Sequence, residues 1–258
     1  MDFDTLLKTA IEAALEGGEV TRSLIGRLKH IQKKGAIDLL TEADLESEKR
    51  IIQKIREHFP DHSFLAEESS PLINDSPYQW IIDPVDGTTN FAHALNHYAI
   101  SIALSVEGKI MLGVVFNPGT NELFRAVSGQ GAFLNDLPIE VSAATSVSES
   151  LLATGFPYNF KEILEPVMIR FKSCLTACQG IRRFGSAALD LCYVACGRFD
   201  GYFEQNLKPW DTAAGFLIAQ ESGATVTDFS NSPFFVEKKE ILATNGKIHS
   251  QMVSLLTI

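Results

Sequence analysis

The residues with the types and spacing for chemistry are carboxylates. Asp83-Pro84-Val85-Asp86-Gly87 sets two of them three apart, directly behind the apolar run Trp80-Ile81-Ile82. Glu67-Glu68 closes a second short apolar run, Phe64-Leu65-Ala66, and Asp211 follows Pro209-Trp210. Mg²⁺ selects hard oxygen ligands, so such a set suits a magnesium-bridged phosphate. Gly87 lets the backbone turn, and Thr88-Thr89 can start a short helix whose first N–H groups attract phosphate. Each residue also has an ordinary reading. Asp-Pro-x-Asp-Gly is common turn chemistry, Asp211 suits a helix cap, and Glu68 reads as a solvated strand end. Capping and turns explain the residues singly. They do not explain several buried carboxylates converging, which would repel one another unless a cation lay between them.

Other candidate groups are weaker. Cys174/Cys178 and Cys192/Cys196 are i,i+4 pairs in helical segments, a spacing that suits packing better than zinc; reduced thiols are expected. His93 and His97 share that spacing, but Ala94 stands where a zinc protease motif needs Glu, so they read as structural or near-site polar groups. Arg182-Arg183 could meet a substrate or a neighbouring subunit, with a solvated salt bridge as the preferred reading. The spacing Cys192-x5-Arg198 begins inside a segment that reads as helix rather than in a loop, and no G-x-x-x-x-G-K-[ST] loop occurs in the sequence, which disfavours a phosphocysteine enzyme and a kinase.

These groups need a scaffold to position them. The chain has 258 residues, 45% of them hydrophobic, enough for a sizeable core in one unit or two joined halves. A net charge of −10 disfavours direct nucleic-acid binding. No apolar run approaches the ~18 residues of a membrane span, and the acidic Met1-Asp2-Phe3-Asp4 start is unlike a secretory leader. A cytoplasmic location is therefore expected. Residues 3–27 carry an amphipathic helical pattern, interrupted by Gly17-Gly18 at a cost unless something packs closely there. Residues 30–38 read as a mobile basic loop. Thr41-x-x-Asp44 then opens a second helix with an apolar stripe of Leu45, Ile52, Ile55 and Phe59. Phe64–Ala66 and Trp80–Ile82 read as buried strands. Residues 99–127 alternate with period two, predicting an antiparallel meander packed on one face. Beyond about residue 150, strands at 151–154, 201–203, 224–227 and 241–244 alternate with helices near 160–178, 185–196, 210–222 and 247–256. The expected fold is an α/β (α+β) layered sandwich, a single domain over 1–258 with halves of about 1–148 and 149–258.

Trp80–Phe91 with Glu67 upstream, and Trp210–Gly223 downstream, resemble the two diagnostic segments of the inositol monophosphatase family. The resemblance runs through almost the whole chain, including Phe184–Asp190 and Gly201-Tyr202-Phe203-Glu204. Thr88-Thr89-Asn90-Phe91 and Lys208-Pro209-Trp210-Asp211 look closest to bacterial members; Ala66 departs from a common Gly. The resemblance implies the fold shared with fructose bisphosphatases and Mg²⁺-dependent hydrolysis of inositol-1-phosphate or a similar small polyol or sugar phosphate. It implies Glu67, Asp83 and the Val85 carbonyl as ligands of one Mg²⁺, and Asp83, Asp86 and Asp211 as ligands of a second, with a weaker third leaning on Glu67. It assigns phosphate binding to Gly87 and Thr88, and activation of the attacking water to Thr88 with Asp44. Gly185, Ser186, Ala187, Glu204 and Asp211 would meet the substrate, and Lys33 would lie on a loop covering the site. Lithium sensitivity and a homodimer are implied too. The same chemistry on fructose 1,6-bisphosphate, histidinol phosphate or an adenosine bisphosphate is an alternative. A different class of role, a protein-binding factor in bacterial transcription and ribosomal RNA maturation, is another.

Overall fold

A computed structural model describes residues 2–28, 30–33, 39–157 and 160–257. Helix α1 (Phe3–Leu24) is capped by Asp2, whose carboxylate accepts the Asp4 N–H. It passes through Gly17-Gly18 without a break. A Cβ on Gly17 would lie 2.9 Å from Ile51, and one on Gly18 2.5 Å from the Phe116 ring, so the glycines buy close packing of the helix on its neighbours.

Strands β1 (Ile31–Lys33) and β2 (Leu39–Thr41) pair antiparallel, so the start of the expected basic loop is a strand instead; residues 34–38 of that loop lie outside the described residues. Thr41 opens α2 (Glu42–His58) with a full capping box to Asp44, as its spacing predicts. The expected apolar stripe is displaced. Leu45 is exposed, while Ile51 and Ile55 are fully buried beside Asp44, Ser47 and Glu48. Polar residues take the inward face of α2 because that face also borders the carboxylates.

The larger sheet has the order β3-β4-β5-β6-β7-β8-β9. Its members are β3 (Ser63–Ala66), β4 (Tyr78–Asp86), β5 (Ala99–Val106), β6 (Lys109–Asn117), β7 (Glu122–Val127), β8 (Ala132–Leu134) and β9 (Leu137–Ile139). Only β3 and β4 pair in parallel. The short helix α3 (Thr88–Ala92) follows β4. The last two strands were not expected from the sequence; Asn135 and Asp136, both at positive φ, form the turn that joins them.

The smaller sheet has the order β11-β10-β12-β14-β13: β10 (Leu151–Thr154), β11 (Gly180–Arg182), β12 (Gly201–Gln205), β13 (Thr225–Thr227) and β14 (Glu240–Thr244). Around it lie α4 (Leu164–Ala177), α5 (Ala187–Ala195), α6 (Pro209–Glu221) and α7 (His249–Leu256). Strand β11 is a further addition to the expected set.

The layers run α1/α2, large sheet, α5/α6, small sheet, α4/α7. This alternation corrects the one-faced meander. Ile100, Ile102 and Leu104 of β5 face α1 and α2, while Ala99, Ser101, Ala103 and Ser105 are equally buried on the other side. There the Ser101 hydroxyl donates to the Trp210 carbonyl, so the small residues mark a seat for α6 rather than a wet face. Among the described residues no helix is long and apolar enough to cross a membrane.

Candidate active site

Two parallel strands and the starts of two helices bring the carboxylates together. Glu67 stands just past β3, its N–H bonded to the Ile82 carbonyl of β4. A spacing of three would place Asp83 and Asp86 on opposite faces of a regular strand. A bulge prevents this: Asp83 pairs with Ser101 and Asp86 with Ala99, so three steps on β4 oppose two on β5. Both aspartates thus share the face that α6 covers. Gly87 follows at φ +99°, where an added Cβ would lie 3.1 Å from the carbonyls of Gly185 and His97. It caps α3 and keeps the turn tight.

Each aspartate is held by specific donors. Asp83 Oδ1 accepts the Val85 N–H at 2.9 Å. Asp86 Oδ2 accepts the Ser186 hydroxyl at 2.6 Å and the Ala188 N–H at 2.8 Å. Asp211 Oδ2 accepts the Lys208 N–H at 2.7 Å, so this residue does cap α6, the ordinary role considered for it, while also facing the cleft. The Thr88 hydroxyl lies 3.0 Å from both Asp44 Oδ1 and the Val85 carbonyl, and its single proton can serve only one of them at a time. Asp44 Oδ2 accepts the Thr41 N–H at 2.7 Å.

Burial is the main electrostatic fact of the site. It pushes the Asp83 carboxyl well above the usual range, and Glu67, Asp86 and Asp211 push it further. Burial also raises Asp86, against its donors Ser186 and Ala188. Asp211 is raised well above normal by burial and by the charges of Asp86, Glu67 and Glu204, against the Lys208 N–H. Asp44 rises to about 6, through burial opposed by Thr41 and Thr88.

A cleft of about 260 Å³ opens above this group. Of the expected site residues, Glu67, Asp86, Gly87, Gly185, Ala187, Glu204 and Asp211 line it. Asp44, Asp83, Val85, Thr88 and Ser186 are buried outside its lining. Ser186 was expected to meet the substrate, but its hydroxyl is turned inward to Asp86 and caps α5. Lys33 is exposed on β1 and is not brought to the cleft. Arg183, preferred as a solvated salt bridge, lines the cleft instead.

Sequence reasoning missed Gly155, Asn206 and Leu207 of the cleft lining, and three further contributors. Phe156 and Pro157 form part of the wall; nothing in their local pattern marks them. Asp190 is fully buried in α5, and neither of its oxygens has a hydrogen-bond partner among the described residues. A lone Asp within Ala-Ala-Leu-Asp-Leu-Cys was the available signal. His93 and His97 do not form a metal pair: His93 is exposed, and His97 sits against Phe184 and Tyr193, its imidazole lowered to about 4 by burial. All four cysteines are free thiols.

No three His, Cys, Asp or Glu side chains among the described residues are close enough together to enclose a metal ion. The chemistry of the carboxylates nonetheless fits a hard divalent cation. They are all-oxygen donors, and Asp83 and Asp211 are raised in pKa by burial and by the charge of neighbouring carboxylates, which a cation would relieve.

Known proteins resemble this chain over nearly its whole length. The model of the inositol monophosphatase family matches residues 2–257. An inositol-1-monophosphatase of Synechocystis is 47% identical over 257 residues, covering 99% of this chain and 90% of its own. A Nus factor SuhB of Pasteurella multocida is 41% identical, covering 98% and 96%. The structure of an inositol monophosphatase from Anabaena superposes with a TM-score of 0.90 at 42% identity, covering 99% and 96%. The extragenic suppressor protein SuhB of Bartonella henselae superposes at 0.94 with 39% identity, covering 98% of both chains. With a family match from end to end and relatives this similar, the chain belongs to the inositol monophosphatase family and is a phosphatase.

Proposed function

We propose that the protein hydrolyses inositol-1-phosphate, or a similar small polyol phosphate, with Mg²⁺ held by Glu67, Asp83, Asp86 and Asp211 and by the Val85 carbonyl. The observation that carries this reading is the convergence of carboxylates whose charges oppose one another at a cleft. When bound, Mg²⁺ supplies positive charge to the phosphate oxygens and acidifies water beside it. Uncatalysed phosphate monoester hydrolysis is among the slowest reactions known, so both effects are needed.

The chain's own groups do the rest. The N–H groups of Gly87 and Thr88 orient the phosphate. Thr88, donating to Asp44, keeps a lone pair for the attacking water and so orients it. Asp44, raised to about 6, can take up a proton near neutrality. Glu204, with Gly185 and Ala187, faces the polyol. The homodimer and lithium sensitivity implied by the resemblance belong to the same reading.

A phosphate-release panel tests it. With Mg²⁺ present, inositol-1-phosphate is expected to exceed 3′-phosphoadenosine 5′-phosphate in kcat/KM. EDTA should abolish release, excess Mg²⁺ should restore it, and Li⁺ should inhibit. Undiminished turnover in chelator would sink the metal assignment; the reverse substrate order would sink only the polyol.

A second reading follows from the relatives named Nus factor SuhB, at 41% identity over nearly the whole chain. It is a role in a protein assembly alongside catalysis. Partner capture by an Asp83→Asn protein, inactive yet folded, separates the two.

A further inference from the structure

Glu204 is held by two neighbours that belong to neither the metal ligands nor the phosphate turn. Tyr202 lies two residues earlier on β12, so its side chain leaves the strand on the same face. It is fully buried, and its hydroxyl donates to Glu204 Oε2 at 2.6 Å. Just past the end of the neighbouring strand β10, Gly155 closes the other side. A Cβ there would lie 1.8 Å from Oε2 and 2.1 Å from Cδ, so only glycine leaves room for the carboxylate. Gly155 is not at positive φ; its glycine is needed for space, not for backbone freedom.

The charges around Glu204 make that grip matter. Asp190 faces it from α5, Asp86 from the end of β4 and Asp211 from the start of α6; Glu67 lines the same cleft. Against these carboxylates stand the Arg183 and Lys208 cations of the cleft wall. Burial raises Glu204 to about 7, while the Tyr202 hydroxyl and Arg183 favour its charged form. A glutamate has three rotatable bonds, and fixing it costs conformational freedom. Here the fold has already fixed it.

We propose that Tyr202, acting with Gly155, is a positioning residue that aims Glu204 as the hydrogen-bond acceptor for a hydroxyl of a polyol substrate. Tyr202 thereby sets the preference for polyol phosphates over plain phosphate monoesters without touching either. This rests on the polyol-phosphate reading above.

The test compares wild type, Tyr202→Phe, Glu204→Gln and the double variant, with Mg²⁺, on inositol-1-phosphate and on p-nitrophenyl phosphate. Tyr202→Phe should raise KM for inositol-1-phosphate about tenfold, the loss expected for one hydrogen bond to a charged group. Its kcat should stay within about twofold, and the polyol-to-aryl ratio of kcat/KM should fall accordingly. In a Glu204→Gln background Tyr202→Phe should add nothing further, because its effect passes through Glu204. As pH falls, KM should begin to climb at a higher pH in Tyr202→Phe than in wild type, since a donor to the charged form is gone. A purely structural Tyr202 would show the same loss in both backgrounds and an unmoved pH limb, which would overturn the proposal. Should Tyr202→Phe fail to fold, Gly155→Ala, which displaces the carboxylate from the other side, must give the KM rise; an unchanged KM there would overturn it equally. A wild type that prefers the polyol while Tyr202→Phe is unchanged sinks the positioning role alone. A wild type indifferent between the two substrates sinks the polyol reading and this role with it.

Discussion

Ser186 separates a substrate contact from a support for a metal ligand. Its hydroxyl is buried, 2.6 Å from Asp86 Oδ2, and the same oxygen takes the Ala188 N–H. Ser186→Ala removes one of these two donors and leaves the other. A hydrogen bond to a charged group contributes about 1.5–3 kcal/mol net. At about 1.4 kcal/mol per decade, that is roughly 10- to 100-fold in how well Asp86 stays ionised and holds a cation, the usual range for losing a group that orients a metal ligand. Ser186 also caps α5 through the Leu189 N–H, so about 1 kcal/mol of stability goes too, or about 2–4 °C in a protein of this size. The assay is phosphate release titrated with Mg²⁺ at saturating substrate, then with substrate at saturating Mg²⁺. The half-saturating Mg²⁺ concentration should rise 10- to 100-fold, and more steeply at lower pH, because Asp86 loses a donor that favours its charge. At saturating Mg²⁺, kcat and KM should stay within about twofold of wild type. A raised KM at saturating Mg²⁺ with an unchanged Mg²⁺ requirement would refute this reasoning and return Ser186 to the substrate.

Asp211→Asn should fold and melt normally in EDTA, because the Asn oxygen keeps the Lys208 N–H bond. It should lose roughly 10²–10³ in kcat, and its melting temperature should rise less with Mg²⁺ than wild type's does. A fully active variant would leave Asp211 as a cap only. The share of the metal-free protein's stability carried by Asp83 and Asp211 should grow as pH falls through their raised range. Asp83 and Asp211 are raised in the fold, so there the native state binds protons that the unfolded chain does not. That stability is complete below the unfolded carboxyl range and is lost as pH rises through the folded values. Buried thiols, also raised by burial, give a slope of the same sign, so calorimetry should compare wild type with Asp83→Asn and Asp211→Asn, whose slopes lack the carboxylate share. Saturating Mg²⁺ should flatten the slope, and a slope of the opposite sign would contradict the raised values.

The parts of the site readable from sequence share one property: they are local. A strand ending in a carboxylate, Gly87 before a helix start and the Thr41–Asp44 box each need only a few consecutive residues to be recognised. What escaped depends on partners far along the chain. The inward polar face of α2 is legible only once Asp44 is seen to meet Thr88, and Ser47 the Pro84 carbonyl. Ser101 and Ser105 look like a solvated face until α6, a hundred residues later, is laid on them. Ser186 looks like a cleft residue from its neighbours Gly185 and Ala187, which do line the cleft, but its own rotation toward Asp86 is fixed across the two sheets. Short strands such as β8, β9 and β11 give too few residues for a period to show.

Stability and chemistry pull in opposite directions at this site. Packing alone would favour apolar residues where Asp83, Asp86 and Asp190 stand, since all three are buried and raised in pKa mainly by that burial. The fold tolerates the first two because fixed donors meet them: Val85 for Asp83, and Ser186 with Ala188 for Asp86. Those donors are rigid main-chain groups and a helix-capping hydroxyl, so they hold the carboxylates in place whether or not they are charged. Asp190 has no such donor. Its cost is therefore unrelieved within the described chain, and its nearest charged neighbours, Glu204, Asp86 and Arg183, all belong to the cleft. An apolar residue at 190 should accordingly stabilise the fold, whereas one at 83 or 86 would strand the donors built to meet a carboxylate.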